Sequence, residues 1–236
     1  MKTALLLSGG MDSIAIAWWK RPDIALTLDY GQQAANAEIK AATATCETLG
    51  IEHHIIRIDC RSLGSGDMAG TATDPNAPSS DWWPYRNQML ISLAAMKAIT
   101  LGVTHLWIGT VKSDETHLDG TIGFISRISE LMSFQEGGMV VEAPAITLST
   151  SELIRISDVT PGGLAWAIAA IRQTSHAATA GGAISIFRFW MMSDMTWTVP
   201  ASPVPREQPL SYQPLTGPPE IRFFCRLLRR MQCFPD

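Results

Sequence analysis

Near the N-terminus, Ser8-Gly9-Gly10-Met11-Asp12-Ser13 has the residue types and spacing to grip phosphate. The stretch follows the apolar run Ala4–Leu7 and opens the helical pattern Ser13–Trp19, giving a strand, a glycine turn and a helix start in that order. Two glycines let backbone amides close on an anion, and the positive end of the helix dipole favours it. Ser8 and Ser13 add hydroxyl donors. Asp12, a carboxylate beside phosphates, makes sense with Mg²⁺ between them. A bare Gly-Gly pair would be an ordinary turn, but the loop in this setting is more specific. It lacks the Lys of a Walker motif and the spacing of GxGxxG, which argues against both classes.

Other polar clusters sit where strands should end. Asp29-Tyr30-Gly31-Gln32 closes one apolar run and Gly109-Thr110-Val111-Lys112-Ser113-Asp114 another. Pro84-Tyr85-Arg86-Asn87 opens a helical pattern. Arg86 there could clamp a phosphate or carboxylate, against the competing reading of a solvated first-turn arginine. Lys112 is a second candidate to neutralise charge. His117 reads first as a solvated loop histidine and second as a substrate contact.

The elements that must position these groups alternate. Strands are expected at Lys2–Leu7, Ile24–Leu28, Ile55–Ile58, His105–Ile108 and Met139–Glu142. Helices are expected at Asp12–Lys20, Ala34–Leu49 stopped by Gly50, Arg86–Thr100, Thr121–Met132 and Thr150–Ser157. The Arg86–Thr100 helix should bury Met89, Leu93 and Met96. Ser62–Ser80, rich in Gly, Ser, Pro and Asp, reads as a long loop. This alternation predicts an α/β fold, a doubly wound parallel sheet with its ligand crevice at the carboxyl ends of the strands.

Composition sets the bounds. A chain of 236 residues, 46% apolar and 17% charged, can bury a substantial core in one large α/β domain. A net charge of −4 leaves no electrostatic footprint for nucleic acid and favours a small-molecule partner. No apolar run reaches the length of a membrane span, and Met1-Lys2-Thr3 leads straight into a strand, so a cytoplasmic protein without a membrane partner is expected. Cys46, Cys60, Cys225 and Cys233 are scattered, with neither metal-ligand grouping nor a disulfide framework.

Together with Glu38, Asp119-Gly120, Gln135-Glu136-Gly137, Glu142-Ala143-Pro144 and Glu152-Leu153-Ile154-Arg155, these loops resemble, in order and spacing, the 7-cyano-7-deazaguanine synthase family of queuosine biosynthesis. That family lies within the N-type ATP pyrophosphatases. The likeness runs from Lys2 to Trp166. It implies a sheet of the adenine nucleotide alpha hydrolase-like type, with ATP bound by Leu7, Ser8, Gly9, Gly10, Met11, Asp12, Ser13, Ile14, Ala15, Ile16 and Ala17. It also implies Mg²⁺, the substrates 7-carboxy-7-deazaguanine and ammonia, and a homodimer. From the chemistry, Asp12 would act through Mg²⁺, with Lys112 or Arg86 near the carboxylate.

The likeness breaks after Trp166. Relatives continue into His-Ser-Cys-His and then Cys-Gly-x-Cys-x-x-Cys, whose four cysteines bind a structural zinc. Residues 167–183 of this chain contain no cysteine, so no residue is assigned to zinc. The codons required for Ala167–Ile171, regrouped by one base, nevertheless permit CAT-AGC-TGC-CAT, spelling His-Ser-Cys-His. Those for His176–Ala183 permit Cys-Gly-Asp-Cys-Arg-Gly-Cys in the same way. The segment from Ala167 also carries seven Arg and no Lys, against six Arg and five Lys before it, and its prolines crowd into Pro200–Pro219. One nucleotide lost near the Ala167 codon would account for all of this, with residues 1–166 expected as the nucleotide-binding domain and 167–236 as an out-of-frame, poorly ordered tail; the competing reading is a genuine divergent C-terminal domain. Two alternatives stay open. One is a non-catalytic, nucleotide-binding pseudoenzyme that has lost its zinc segment; the other is a different N-type ATP pyrophosphatase, such as a tRNA thiolase or an amide-forming ligase.

Overall fold

The computed structural model describes residues 1–165 except 81, 113–116 and 136. The expected tail, residues 167–236, lies outside the described residues, as does Trp166.

β1 (Thr3–Leu6) is the middle strand because both its faces are apolar. Side chains alternate across a strand. Ala4 accordingly packs with Ile24, Leu26, Ile91, Ala94, Ala95, Ala98 and Ile128 on one face. Leu5 packs with Ile14–Ala17, Ala41, Ala42, Cys46, Leu153 and Ile154 on the other. Helices thus cover both faces, which is why β2 (Ile24–Asp29) is also buried along nearly its whole length.

Among the described residues the sheet has five parallel strands, the others being β3 (Glu52–Arg57), β4 (His105–Trp107) and β5 (Val140–Glu142), in the order β3-β2-β1-β4-β5. Ala4 registers with Ile24 on one side and Leu106 on the other. From β1 the chain runs outward through α1 (Met11–Lys20), β2, α2 (Ala35–Leu49) and β3 (Glu52–Arg57). It then returns through α3 (Gly66–Ala69) and α4 (Arg86–Thr100) to β4 (His105–Trp107) beside β1. The order finishes with α5 (Ile122–Phe134), β5 (Val140–Glu142) and α6 (Thr150–Ser157). The reversal between β1 and β4 opens a crevice at their carboxyl ends.

Helix ends follow local chemistry. Gly50 closes α2 at φ +66°. Ser149 and Glu152 form a reciprocal capping box on α6. Thr121 caps α5 by accepting the Phe124 N–H, so that helix starts one residue later than the pattern suggests.

Three expectations are corrected. β3 begins at Glu52 rather than Ile55, because His53 Nε2 reaches Thr27 Oγ1 at 2.8 Å and can sit in the strand. On α4 the fully buried stripe is Ile91, Ala94, Ala95 and Ala98, whose small side chains bring the helix close to the sheet; of the expected face, Met89 and Leu93 pack partly buried against this core and Met96 is turned out at 68% exposure. The Ser62–Ser80 stretch is not featureless. It holds a 3₁₀ turn at Arg61–Leu63 and then α3, tied down by Gln33 N–H to Met68 O (2.9 Å) and Asp67 N–H to Ser80 O (2.8 Å).

Candidate active site

A cavity of about 560 Å³ occupies the crevice at the carboxyl ends of β1, β2 and β4, a size usual for small-molecule sites. Each wall comes from a separate loop. Leu7 and Ser8 come from the end of β1, Tyr30, Gln32 and Glu38 from the β2–α2 connection, and Gly109 and Thr110 from the end of β4. Arg86 and Asn87 close it from the start of α4, with Met68 and Ser79 from the preceding loop and His117 and Asp119 opposite.

The β1–α1 loop is shaped by glycine. Gly9 has φ +76°, and a Cβ placed on it would lie 2.4 Å from the backbone carbonyl oxygen of Glu38. No rotamer change can relieve such a contact. The Ser13 hydroxyl donates to Gly10 O at 2.9 Å. The Ser8 hydroxyl therefore donates in the 3.1 Å Ser8–Ser13 pair, and Ser8 Oγ also accepts the Gly10 N–H at 3.3 Å. Ser13, buried, closes the loop rather than facing the cavity; Ser8 is the hydroxyl at the wall. The N-cap of α1 is Gly10, which has no side chain to cap the helix, and the positive end of the helix favours an anion. Gly9→Ala is expected to weaken the binding of a phosphate-bearing ligand at this loop roughly 10²-fold, the upper end of the ~1–3 kcal/mol of such backbone strain. Titration of ATP against the purified variant, with circular dichroism as a control for folding, measures it.

The β2–α2 connection holds a carboxylate. Gln32 is buried and uses both its amide N–H bonds, one to Leu28 O (3.1 Å) and one to Glu38 Oε2 (2.8 Å), while its Oε1 accepts the Tyr30 N–H (2.9 Å). Burial pushes the Glu38 carboxyl above its usual range, against the hydrogen bond from Gln32 and the charge of Arg86. Burial likewise raises the Tyr30 phenol, whose ring meets Trp83 edge-on at 4.9 Å.

Arg86, half-buried, directs Nη1 to Met68 Sδ at 2.7 Å. Its neighbour Asn87 donates its backbone N–H to Asp119 Oδ2 (3.2 Å) and its side-chain N–H to Asp119 O (2.9 Å), fixing the start of α4 to the opposite wall.

The structure therefore brings together the Ser8–Ser13 loop, Tyr30, Gln32 and Arg86. Met11 and Asp12 lie half-buried in the first turn of α1, while Ile14, Ala15, Ile16 and Ala17 are buried in the core behind the loop and fix the helix in place. Lys112 is exposed and is not among the cavity's lining residues; its N–H donates to Leu148 O and its charge acts on Glu152. Ser113 and Asp114 lie outside the described residues. His117, read as solvated, is half-buried in the cavity wall. The Asn87–Asp119 tie was not foreseen. Its only trace in the sequence is two short polar clusters on either side of a helix and strand.

A second hollow of about 480 Å³ lies beyond β2 and β3, open to solvent. Its charges are paired with each other, Arg61 with Asp59 at 2.7 Å and Arg57 with Asp29 at 3.9 Å. It offers no uncompensated charge comparable to the cavity.

Over residues 2–171 the chain matches the family model described as queuosine biosynthesis protein QueC. The 7-cyano-7-deazaguanine synthase of Porphyromonas gingivalis is 30% identical over 164 residues, covering 64% of this chain and 74% of that protein. Its counterpart in Desulforudis audaxviator is 29% identical over 189 residues, covering 71% and 85%. Among solved structures, NMN synthetase from Francisella tularensis is similar at a TM-score of 0.38 and 17% identity, over 80% of this chain and 83% of that one.

Proposed function

The chain belongs to the family of the queuosine biosynthesis protein QueC, and from that premise we propose that it is a 7-cyano-7-deazaguanine synthase, an ATP-dependent ligase that makes a nitrile from 7-carboxy-7-deazaguanine and ammonia. A carboxylate is a poor electrophile. Its attack on the α-phosphorus of ATP releases pyrophosphate and gives an acyl adenylate, from which ammonia displaces AMP to form the amide. A second ATP activates the amide oxygen, and loss of AMP leaves the nitrile.

The protein's part is positioning and charge. The observation that carries the reading is the glycine-capped start of α1, with the Gly9 loop, beside a cavity that also holds Arg86. Backbone amides at Gly9 and Gly10 with Ser8 would hold the pyrophosphate, the Gly10–Ser8 and Ser8–Ser13 hydrogen bonds giving way to it, and Arg86 would hold the carboxylate. Asp12, in the first turn of α1, suits Mg²⁺, which commonly takes one or two protein carboxylates and completes its shell with phosphate and water. Bound there, it would offset phosphate charge. Among the described residues no cluster of three His, Cys, Asp or Glu could cage a metal by itself. Zinc therefore finds no fit there, and no step is derived through it. No helix among the described residues is long and apolar enough to cross a membrane.

Exchange of labelled pyrophosphate into ATP, dependent on 7-carboxy-7-deazaguanine, tests the reading. The synthase supports exchange without ammonia and forms the nitrile with it. ATP binding without exchange would leave a nucleotide-binding protein.

A further inference from the structure

We propose that Glu38 is the proton acceptor for the nitrogen in the amide- and nitrile-forming steps, a role that rests on the synthase reading above. The chemistry creates the need. Ammonia forms the C–N bond with its lone pair, and one N–H proton must leave before the C–O bond to AMP breaks. The amide oxygen then bonds to the α-phosphorus of a second ATP as the bond to pyrophosphate breaks. The remaining two N–H protons leave as the C–O bond to the second AMP breaks. Both carboxyl oxygens depart on AMP, no electrons pass to an outside acceptor, and three protons must leave one nitrogen. The adenylation of the carboxylate itself needs no base.

Among the described residues lining the cavity, the carboxylates are Glu38 and Asp119. Asp119 accepts the Asn87 N–H and ties down the start of α4. Glu38 lies against the phosphate loop, because its own carbonyl is the atom that forbids a Cβ at Gly9. Where ATP holds its phosphates on that loop, the reacting carbon must be near. Gln32 is buried and spends both N–H bonds and its oxygen on fixing this connection, and one of those N–H bonds goes to a single oxygen of Glu38. A buried, saturated glutamine orients the carboxylate without neutralising it. Arg86 from α4, with Asp29 and Tyr30 from the end of β2, are the charged and titratable groups acting on it. Burial raises its affinity for protons above that of an exposed carboxylate, which suits a proton acceptor, and Glu38 is itself only partly buried, so each proton can pass on to water.

Glu38→Gln retains an oxygen for Gln32 and removes the proton acceptor. In the full chain with 7-carboxy-7-deazaguanine and ATP, the variant should keep pyrophosphate exchange within about threefold of the parent. Nitrile formation from ammonium should fall about 10²- to 10⁴-fold. Nitrile formation within tenfold of the parent overturns the proposal. So does an equal loss of exchange and nitrile formation in a folded variant, which would make Glu38 a binding group, and so does a selective loss of nitrile in His117→Gln alone. If Glu38→Gln fails to fold, Glu38→Asp carries the test: nitrile formation falling at least tenfold further than exchange supports the role, and equal falls overturn it. A parent chain without exchange overturns the synthase reading and this role with it.

Discussion

A gene with one base inserted at the Ala167 codon is expected to yield a chain that binds one zinc ion, melts at a higher temperature than the chain as it stands, and forms the nitrile far faster. The expectation follows from the proposal that residues 167–236 are read out of frame. The regrouped codons permit four cysteines at the spacing of a structural zinc site, and the family match ends at residue 171, within the first codons after the expected break. The described residues offer zinc little. Cys46 and Cys60 are buried in the cores on opposite faces of the sheet. Burial pushes the Cys46 thiol up to about 12, far from the thiolate a metal requires.

The effect should be large because of what precedes the break. Leu164 is buried with Ile14 and Ile16 of α1, and a Cβ at Gly163 would lie 3.2 Å from Trp18 Nε1. The segment that would carry the cysteines therefore leaves from the back of the helix that presents the phosphate loop. Structural zinc contributes roughly 10–16 kcal/mol in small zinc-binding peptides, comparable with the ~5–15 kcal/mol of net stability of a whole domain. Metal content by mass spectrometry and thermal melts with and without chelator measure the difference. A restored chain that takes up no zinc and melts no higher would sink the frame proposal. The intact mass of the protein made from the source gene supplies a separate check, since the sequence as it stands requires 25.7 kDa.

Much of the fold could be read in the sequence because burial on two faces leaves a strong pattern. β1 and β2 are apolar runs, and the strand, glycine turn and helix at Leu7–Asp12 admit few arrangements. α4 and α6 were placed at their observed bounds because Pro84 and Ser149 mark their starts. Orientation within α4 is legible only in part: Met89 and Leu93 lie against the core, but close approach to the sheet selects the alanines for full burial and turns Met96 outward. The start of β3 is not legible because His53 is polar and its tertiary partner Thr27, which makes its place in the strand acceptable, is distant in sequence. At the site, the phosphate loop is a contiguous signal. The Gln32–Glu38 clamp and the Asn87–Asp119 tie join residues whose pairing depends on the sheet order, so the sequence displays the members without the bonds. Lys112 shows the converse: a plausible charge in a strand-end loop that the chain carries toward α6.

Arg86→Ala is expected to raise KM for 7-carboxy-7-deazaguanine about 10²- to 10³-fold and to depress substrate-dependent pyrophosphate exchange in proportion. A buried, hydrogen-bonded charge pair that loses one partner costs ~2–5 kcal/mol, part of it from leaving the other charge alone. Arg86 is the permanently charged cation among the described residues lining the cavity, so the substrate carboxylate has no replacement there. Arg86→Lys keeps the charge but loses the planar fork, and should recover part of the loss in KM. A second consequence separates this role from a packing role. The charge of Arg86 lowers the proton affinity that burial raises at Glu38. Without it, Glu38 holds its proton to higher pH, and its proton-accepting form is lost sooner as pH falls. The acid limb of nitrile formation should therefore move to higher pH in Arg86→Ala and stay near its original place in Arg86→Lys. A packing defect would lower activity at every pH alike, leaving the limb where it was. An unchanged KM together with an unmoved limb would remove Arg86 from the site and leave the carboxylate to be bound elsewhere.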